Sequence, residues 1–152
     1  MDKFLIKGPC KIKGQVFISG SKNAALPILA ATLLFDKPVI IENLPRVRDI
    51  ETMLKLLKSL GSKIQFFNNK KIVKITKNKK QKIFASYSLV KTMRAGILVL
   101  GPMIAKHHKA VTSLPGGCLI GARPVNYHLN ALKKLGMKYE IKKGYIHAIS
   151  KG

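Results

Sequence analysis

Few side chains in this chain are equipped for chemistry, and they fall in three places. Residues 113–124 read SLPGGCLIGARP, which sets Cys118 two glycines after a Leu-Pro and Arg123 five residues after the thiol. A nearby guanidinium favours the thiolate, and Gly116 and Gly117 free the backbone to open and close. Lys22-Asn23 stands where an extended segment hands over to an apolar helix, so backbone N–H groups and the helix dipole favour an anion there. Arg94 occupies the first turns of a second apolar helix, spanning residues 90–105. A charge entering such a helix is costly without a partner. With only six acids in the chain, a bound anion is the simplest partner. Taken singly, each of these residues is also explained by an ordinary structural role.

Other chemistries lack their parts. Ser19-Gly20-Ser21-Lys22 matches S-x-x-K, but the companion S-D-N and K-T-G signatures are missing. No P-loop, G-x-S-x-G or zinc spacing is present. The four histidines are scattered, and His128 lies on an amphipathic helix as a packing or surface residue. Asp2, Asp36, Glu42, Asp49, Glu51 and Glu140 are too dispersed to build a catalytic carboxylate pair. Cys10 and Cys118 suit neither a metal site nor a disulfide framework, so both are expected as free thiols in a reducing, cytoplasmic setting. No metal and no cofactor is expected.

Composition narrows the partners. The net charge of +23 comes from 29 basic residues against six acids, and only four of the 29 are arginines. Such a charge admits a nucleic-acid-binding protein. Against it, the lysines are dispersed, arginine is scarce, and no aromatic ladder accompanies them. Lysine and isoleucine enrichment reads instead as the drift of an AT-biased genome, and no specific nucleic-acid partner is expected. The opening MDKFLIKG lacks the apolar core of a signal peptide. The longest uncharged helical run, AGILVLGPMIA, falls short of the ~20 residues that span a bilayer, so no membrane partner is expected either.

The elements that must position these residues come as a repeat. LKSLGSKIQFFNNKKIVKI lines up with LKKLGMKYEIKKGYIHAI, each reading helix, Leu-Gly stop, strand, turn, strand. Gly61 and Gly136 sit where a left-handed helix cap belongs. Upstream, each half has a helix apolar nearly all round and therefore buried on all sides, then a strand ending in Leu-Pro, then an amphipathic helix. Asp49 is placed to cap the first amphipathic helix. Pro27 falls in tolerated first turns and Pro102 nearer a kink. The expected class is α/β, two units of α-β-α-β-β, divided as residues 21–87 and 88–152. Pro45 aligns with Pro115 at an offset of 70 but Gly61 with Gly136 at 75. The second unit therefore carries five extra residues in the interval that holds GGCLI, as a functional loop would. Residues 1–20 read as two strands joined around Gly8-Pro9, with no counterpart in the second half.

The segments SGSKNAALPILAA, LVKTMRAGILVLGP and SLPGGCLIGARPVNYHL, in this order and spacing, resemble the UDP-N-acetylglucosamine 1-carboxyvinyltransferase family across the whole chain. The related shikimate-pathway enolpyruvyl transferases share the fold but lack the cysteine loop, so PGGC discriminates. The resemblance implies an inside-out α/β barrel of two domains with six repeated units, of which this chain would hold about two. It implies transfer of the enolpyruvyl group of phosphoenolpyruvate to the 3′-hydroxyl of UDP-N-acetylglucosamine, with release of phosphate, the first committed step of peptidoglycan precursor synthesis. Carried over by position, Lys22, Asn23 and Arg123 would bind phosphoenolpyruvate. Arg94 and Arg123, Pro124, Val125, Asn126 and Tyr127 would contact UDP-N-acetylglucosamine. Cys118 would be the general acid, the thiol that fosfomycin alkylates in the family.

Two departures qualify the expectation. The family usually has aspartate where this chain has Asn126. The family's catalytic aspartate and further arginines lie beyond the part matched, and residues 1–20 would pack on a second domain. The resemblance thus allows a working transferase with a separate C-terminal fragment as partner, or a non-catalytic truncated remnant.

Overall fold

The computed structural model describes residues 3–69, 71–78, 80–116 and 125–151. Helix α1 (Lys22–Ala31) starts at Ser21, whose extended backbone and hydroxyl, accepting from the Ala24 N–H at 3.3 Å, cap its first turn. It ends in a 3-10 turn, Thr32–Leu34, where the Thr32 hydroxyl donates to the Leu29 carbonyl at 2.6 Å. Strand β1 (Val39–Ile41), helix α2 (Arg48–Ser59), β2 (Ser62–Phe67) and β3 (Ile72–Lys77) complete the first unit. Its sheet is antiparallel with order β1-β3-β2.

The second unit comprises β4 (Phe84–Ala85), α3 (Tyr87–Val90), a 3-10 stretch Arg94–Val99, α4 (Leu100–His107), β5 (Lys109–Ser113), α5 (Asn126–Lys134), β6 (Lys138–Lys142) and β7 (Tyr145–Ile149). Its sheet runs β4-β5-β7-β6, antiparallel apart from the β4–β5 pair. Strands β5, β7 and β6 thus repeat the order of β1, β3 and β2. Strand β4 is an addition, and it lies upstream of residue 88, where the second unit was expected to start.

The amphipathic pattern explains the packing. In α2, Ile50, Met53, Leu54 and Leu57 fall at helical spacing and are buried together with Leu56. Each such side chain contributes about 1.5–3 kcal/mol when fully buried. Helix α1 packs on α2 and on the Arg94–Val99 stretch, and α4 packs on the Thr32–Leu34 turn. The buried residues form one cluster running through both units. Gly61 and Gly136 take φ of +102° and +96° as the two helices stop, as their spacing predicted.

Several expectations change. Helix α1 is not buried all round: Asn23, Ala24, Pro27 and Ile28 line an exposed side, with Ile28 50% exposed. Pro27 is the sixth residue of α1, inside the helix. Lacking an N–H, it leaves the Asn23 carbonyl without an i+4 donor. The continuous helix expected over residues 90–105 is broken. Met93 is extended (φ −147°, ψ 114°), and the Thr92 hydroxyl folds back on the Leu89 carbonyl at 2.9 Å, so the chain restarts at Arg94. Pro102 then sits in the first turn of α4, where a missing N–H is tolerated, and not at a kink. Residues 3–20 contain no strand. They run without backbone partners in the rest of the described chain, and Phe4, Leu5, Ile6, Phe17 and Ile18 stand in solvent.

Candidate active site

Two backbone close approaches fix the surroundings of the candidate residues. Gly20 lies directly against the loop that follows β1: a side chain there would fall on the Asn43 carbonyl oxygen and crowd Pro45. Asn43 itself adopts a left-handed φ of 52°, and the Leu44 N–H donates to the Lys71 carbonyl at 2.8 Å. The start of α1 is therefore pinned to the C-terminal end of β1. Lys22 and Asn23 are exposed on that first turn, with no acid in the turn itself.

The Lys22 ammonium does have a partner. Asp49, in the first turn of α2, lies 2.9 Å away. Asp49 is not the helix cap expected from its position. The cap residue is Val47, with no side-chain bond, and the Asp49 carboxylate reaches across to α1 instead. Only the tertiary packing of α1 on α2 shows that pairing; the sequence offered just an acid at the start of a helix.

Arg94 opens the 3-10 stretch and is exposed, not buried among apolar residues. The desolvation argument for an obligatory partner therefore falls away: the helix breaks at Met93, so Arg94 enters from solvent. Beside it, the Lys91 ammonium sits 5.0 Å from the Tyr87 ring centroid, a cation–π contact. The second close approach joins this turn to the loop carrying the thiol. A side chain at Gly116 would lie 2.5 Å from the Lys91 carbonyl oxygen. The chain therefore leaves β5 packed over the Lys91–Arg94 turn, and Lys91 is a neighbour that sequence reasoning missed.

Cys118, Arg123 and Pro124 lie outside the described residues. Past them, Val125 is buried and anchors α5, its carbonyl accepting from the Leu129 N–H at 3.1 Å. Asn126 and Tyr127 follow on the exposed first turn of α5. The described candidate residues stand at three segment starts, Lys22 and Asn23 on α1, Arg94 on the 3-10 stretch and Asn126 with Tyr127 on α5, and of these α1 packs on the 3-10 stretch. Lysine and arginine at the start of a helix suit phosphate and carboxylate oxygens. Among the described residues no cluster of three histidines, cysteines or carboxylates could hold a metal. No described helix is long and apolar enough to cross a membrane.

The two-unit architecture is shared with a solved enolpyruvyl transferase. NikO from Streptomyces tendae superposes with a TM-score of 0.74 over 88% of this chain and 29% of its own, at 16% identity. The chain is thus part of the enolpyruvyl transferase fold, a partial domain of its α/β barrel. Residues 6–151 match the family model described as EPSP synthase (3-phosphoshikimate 1-carboxyvinyltransferase), and the chain belongs to that family. Among its relatives is the UDP-N-acetylglucosamine 1-carboxyvinyltransferase of Pelagibacter ubique, 64% identical over 97% of this chain and 35% of that protein. The protein of the same name in Acinetobacter baylyi is 50% identical over the whole chain and 36% of its own length. The chain spans about a third of the length of these curated relatives.

Proposed function

We propose that this chain is the N-terminal part of an enolpyruvyl transferase that moves the enolpyruvyl group of phosphoenolpyruvate onto the 3′-hydroxyl of UDP-N-acetylglucosamine. The observation that carries this reading is 64% identity to a protein of that name over nearly the whole chain. The setting is the cytoplasm, and the product feeds peptidoglycan precursor synthesis.

In this reading the Cys118 thiol protonates the methylene carbon of phosphoenolpyruvate while the sugar 3′-hydroxyl adds to the adjacent carbon. The tetrahedral intermediate then loses phosphate from that carbon and a proton from the new methyl group, giving the enol ether. Lys22, Asn23 and Arg123 bind phosphoenolpyruvate. Arg94, Arg123, Pro124, Val125, Asn126 and Tyr127 contact the nucleotide sugar. Two anionic substrates bring several negative charges into one cleft, which preorganised cations stabilise. The amide of Asn126 keeps an acceptor and adds donors, so it alters nucleotide affinity and leaves the chemistry in place.

Residues 1–20 are proposed to pair with the part of the relatives that lies beyond this match. The two repeated units meet just before β4, near residue 84, and a separate C-terminal fragment is the partner that completes the cleft. The test is phosphate release from phosphoenolpyruvate in the presence of UDP-N-acetylglucosamine. The chain by itself is expected to release little. Release is expected when the complementary two-thirds of a relative is added; none under either condition would leave the remnant reading standing.

A further inference from the structure

We propose that Asp49 is a positioning residue for Lys22, holding its ammonium over the start of α1 until phosphoenolpyruvate takes it. The proposal rests on the reading that Lys22 binds that substrate. Lys22 is the first residue of α1, where the helix N–H groups already make the local potential positive and disfavour a cation. Nothing in the first turn of α1 is acidic. The compensating charge comes from α2, whose first turn holds Asp49 and Glu51. Asp49 is free for this because α2 uses no side-chain cap, and its carboxylate lies 2.9 Å from the Lys22 ammonium.

The pair is unsuited to holding the fold together. The two side chains are 46% and 37% exposed, and ion pairs so exposed contribute little to stability. The fixed backbone on either side, Gly20 against Asn43 and α1 against α2, already sets the elements. What the pair does fix is a long, flexible lysine stem. Ordering that stem before the ligand arrives removes part of the entropy cost of binding. A phosphate dianion then replaces one carboxylate as the partner of the same ammonium, with no movement of α1.

The test is competitive acetylation of lysines in the 152-residue chain, read by peptide mass spectrometry, with the exposed Lys55 as internal reference. In the parent chain, Lys22 is expected to label slowly and to be protected further by phosphoenolpyruvate. Asp49→Asn is expected to raise Lys22 labelling and weaken phosphoenolpyruvate protection roughly two- to fivefold, the range given by an exposed ion pair. Asp49→Glu should restore both, and circular dichroism should be the same for all three chains. In the completed enzyme, Asp49→Asn should raise KM for phosphoenolpyruvate by the same factor and leave kcat within about twofold. Unchanged labelling and unchanged protection in Asp49→Asn would overturn the proposal. Absence of Lys22 protection by phosphoenolpyruvate in the completed enzyme would overturn the phosphoenolpyruvate reading beneath it, whatever Asp49 does.

Discussion

Asp36 is the acid that binds the two units together at the level of single residues. Its carboxylate accepts from Lys106 and from Lys77, each at 2.7 Å, and Lys106 also donates to the Leu34 carbonyl at 2.9 Å. The hydrogen bond from Lys106 first, then that from Lys77, holds the Asp36 pKa down from 3.8 to about 2. A carboxylate with a depressed folded pKa stabilises the fold above its unfolded value and loses that contribution as pH falls through the folded one. Asp36 should therefore withdraw its contribution between pH 3.8 and about 2. His107 adds an earlier step: burial, then Lys77, Lys106 and His108, lower its pKa from 6.5. Because the unfolded histidine binds the proton more readily, stability falls as pH drops below that value. Thermal melts from pH 7 to 2 should show both declines, the lower one small because the Asp36 side chain is 73% exposed. Asp36→Asn should reduce the lower one, with Glu140, whose pKa is also lowered, keeping a remainder. A second prediction concerns Gly20. Gly20→Ala drives a methyl group onto the Asn43 carbonyl and should cost roughly 1–3 kcal/mol in urea unfolding, as backbone clashes of this kind do.

Among the elements, the two helix-stopping glycines look equivalent in sequence but differ in the fold. Both have positive φ, but a side chain at Gly61 would lie 2.5 Å from the Lys80 carbonyl oxygen, whereas the space around Gly136 is open. Gly136→Ala should cost about 1 kcal/mol from the left-handed backbone. Gly61→Ala should cost clearly more, and paired denaturant titrations would rank them. The alternation of KIVKI and YIHAI, the Leu-Gly stops and the strand that ends before each Leu-Pro were legible because period and punctuation are local signals. The break at Met93 was not, since residues 90–105 are apolar throughout and apolarity says nothing about a restart. Asp49 was misplaced for a related reason. A cap and a cross-helix ion pair look alike in sequence until the packing of α1 on α2 is known. Lys22 and Asn23 stand at the start of α1, as the handover from extended chain to helix predicted, whereas Arg94, expected among buried apolar residues, is exposed because the helix breaks before it.

For the molecule as a whole, the repeat predicted two units of α-β-α-β-β; their strands form two sheets of one shared order, with β4 added to the second. The apolar side chains of residues 4–18 stand exposed, Phe4 and Leu5 almost completely. An apolar, unpaired segment of this kind is a site of proteolysis and association. Trypsin should cleave first after Lys3, Lys7, Lys11 and Lys13, leaving a resistant product that starts at Gly14. That product should keep the helical circular dichroism of the parent and bind less of an apolar dye. The central claim, that this chain carries the acid and part of the anion-binding set of an enolpyruvyl transferase, is tested most directly at Cys118. The chain, completed with the remaining two-thirds of a relative, should release phosphate from phosphoenolpyruvate only when UDP-N-acetylglucosamine is present, and Cys118→Ser should abolish the release. Release that survives Cys118→Ser, or a completed enzyme that releases none, would contradict the account.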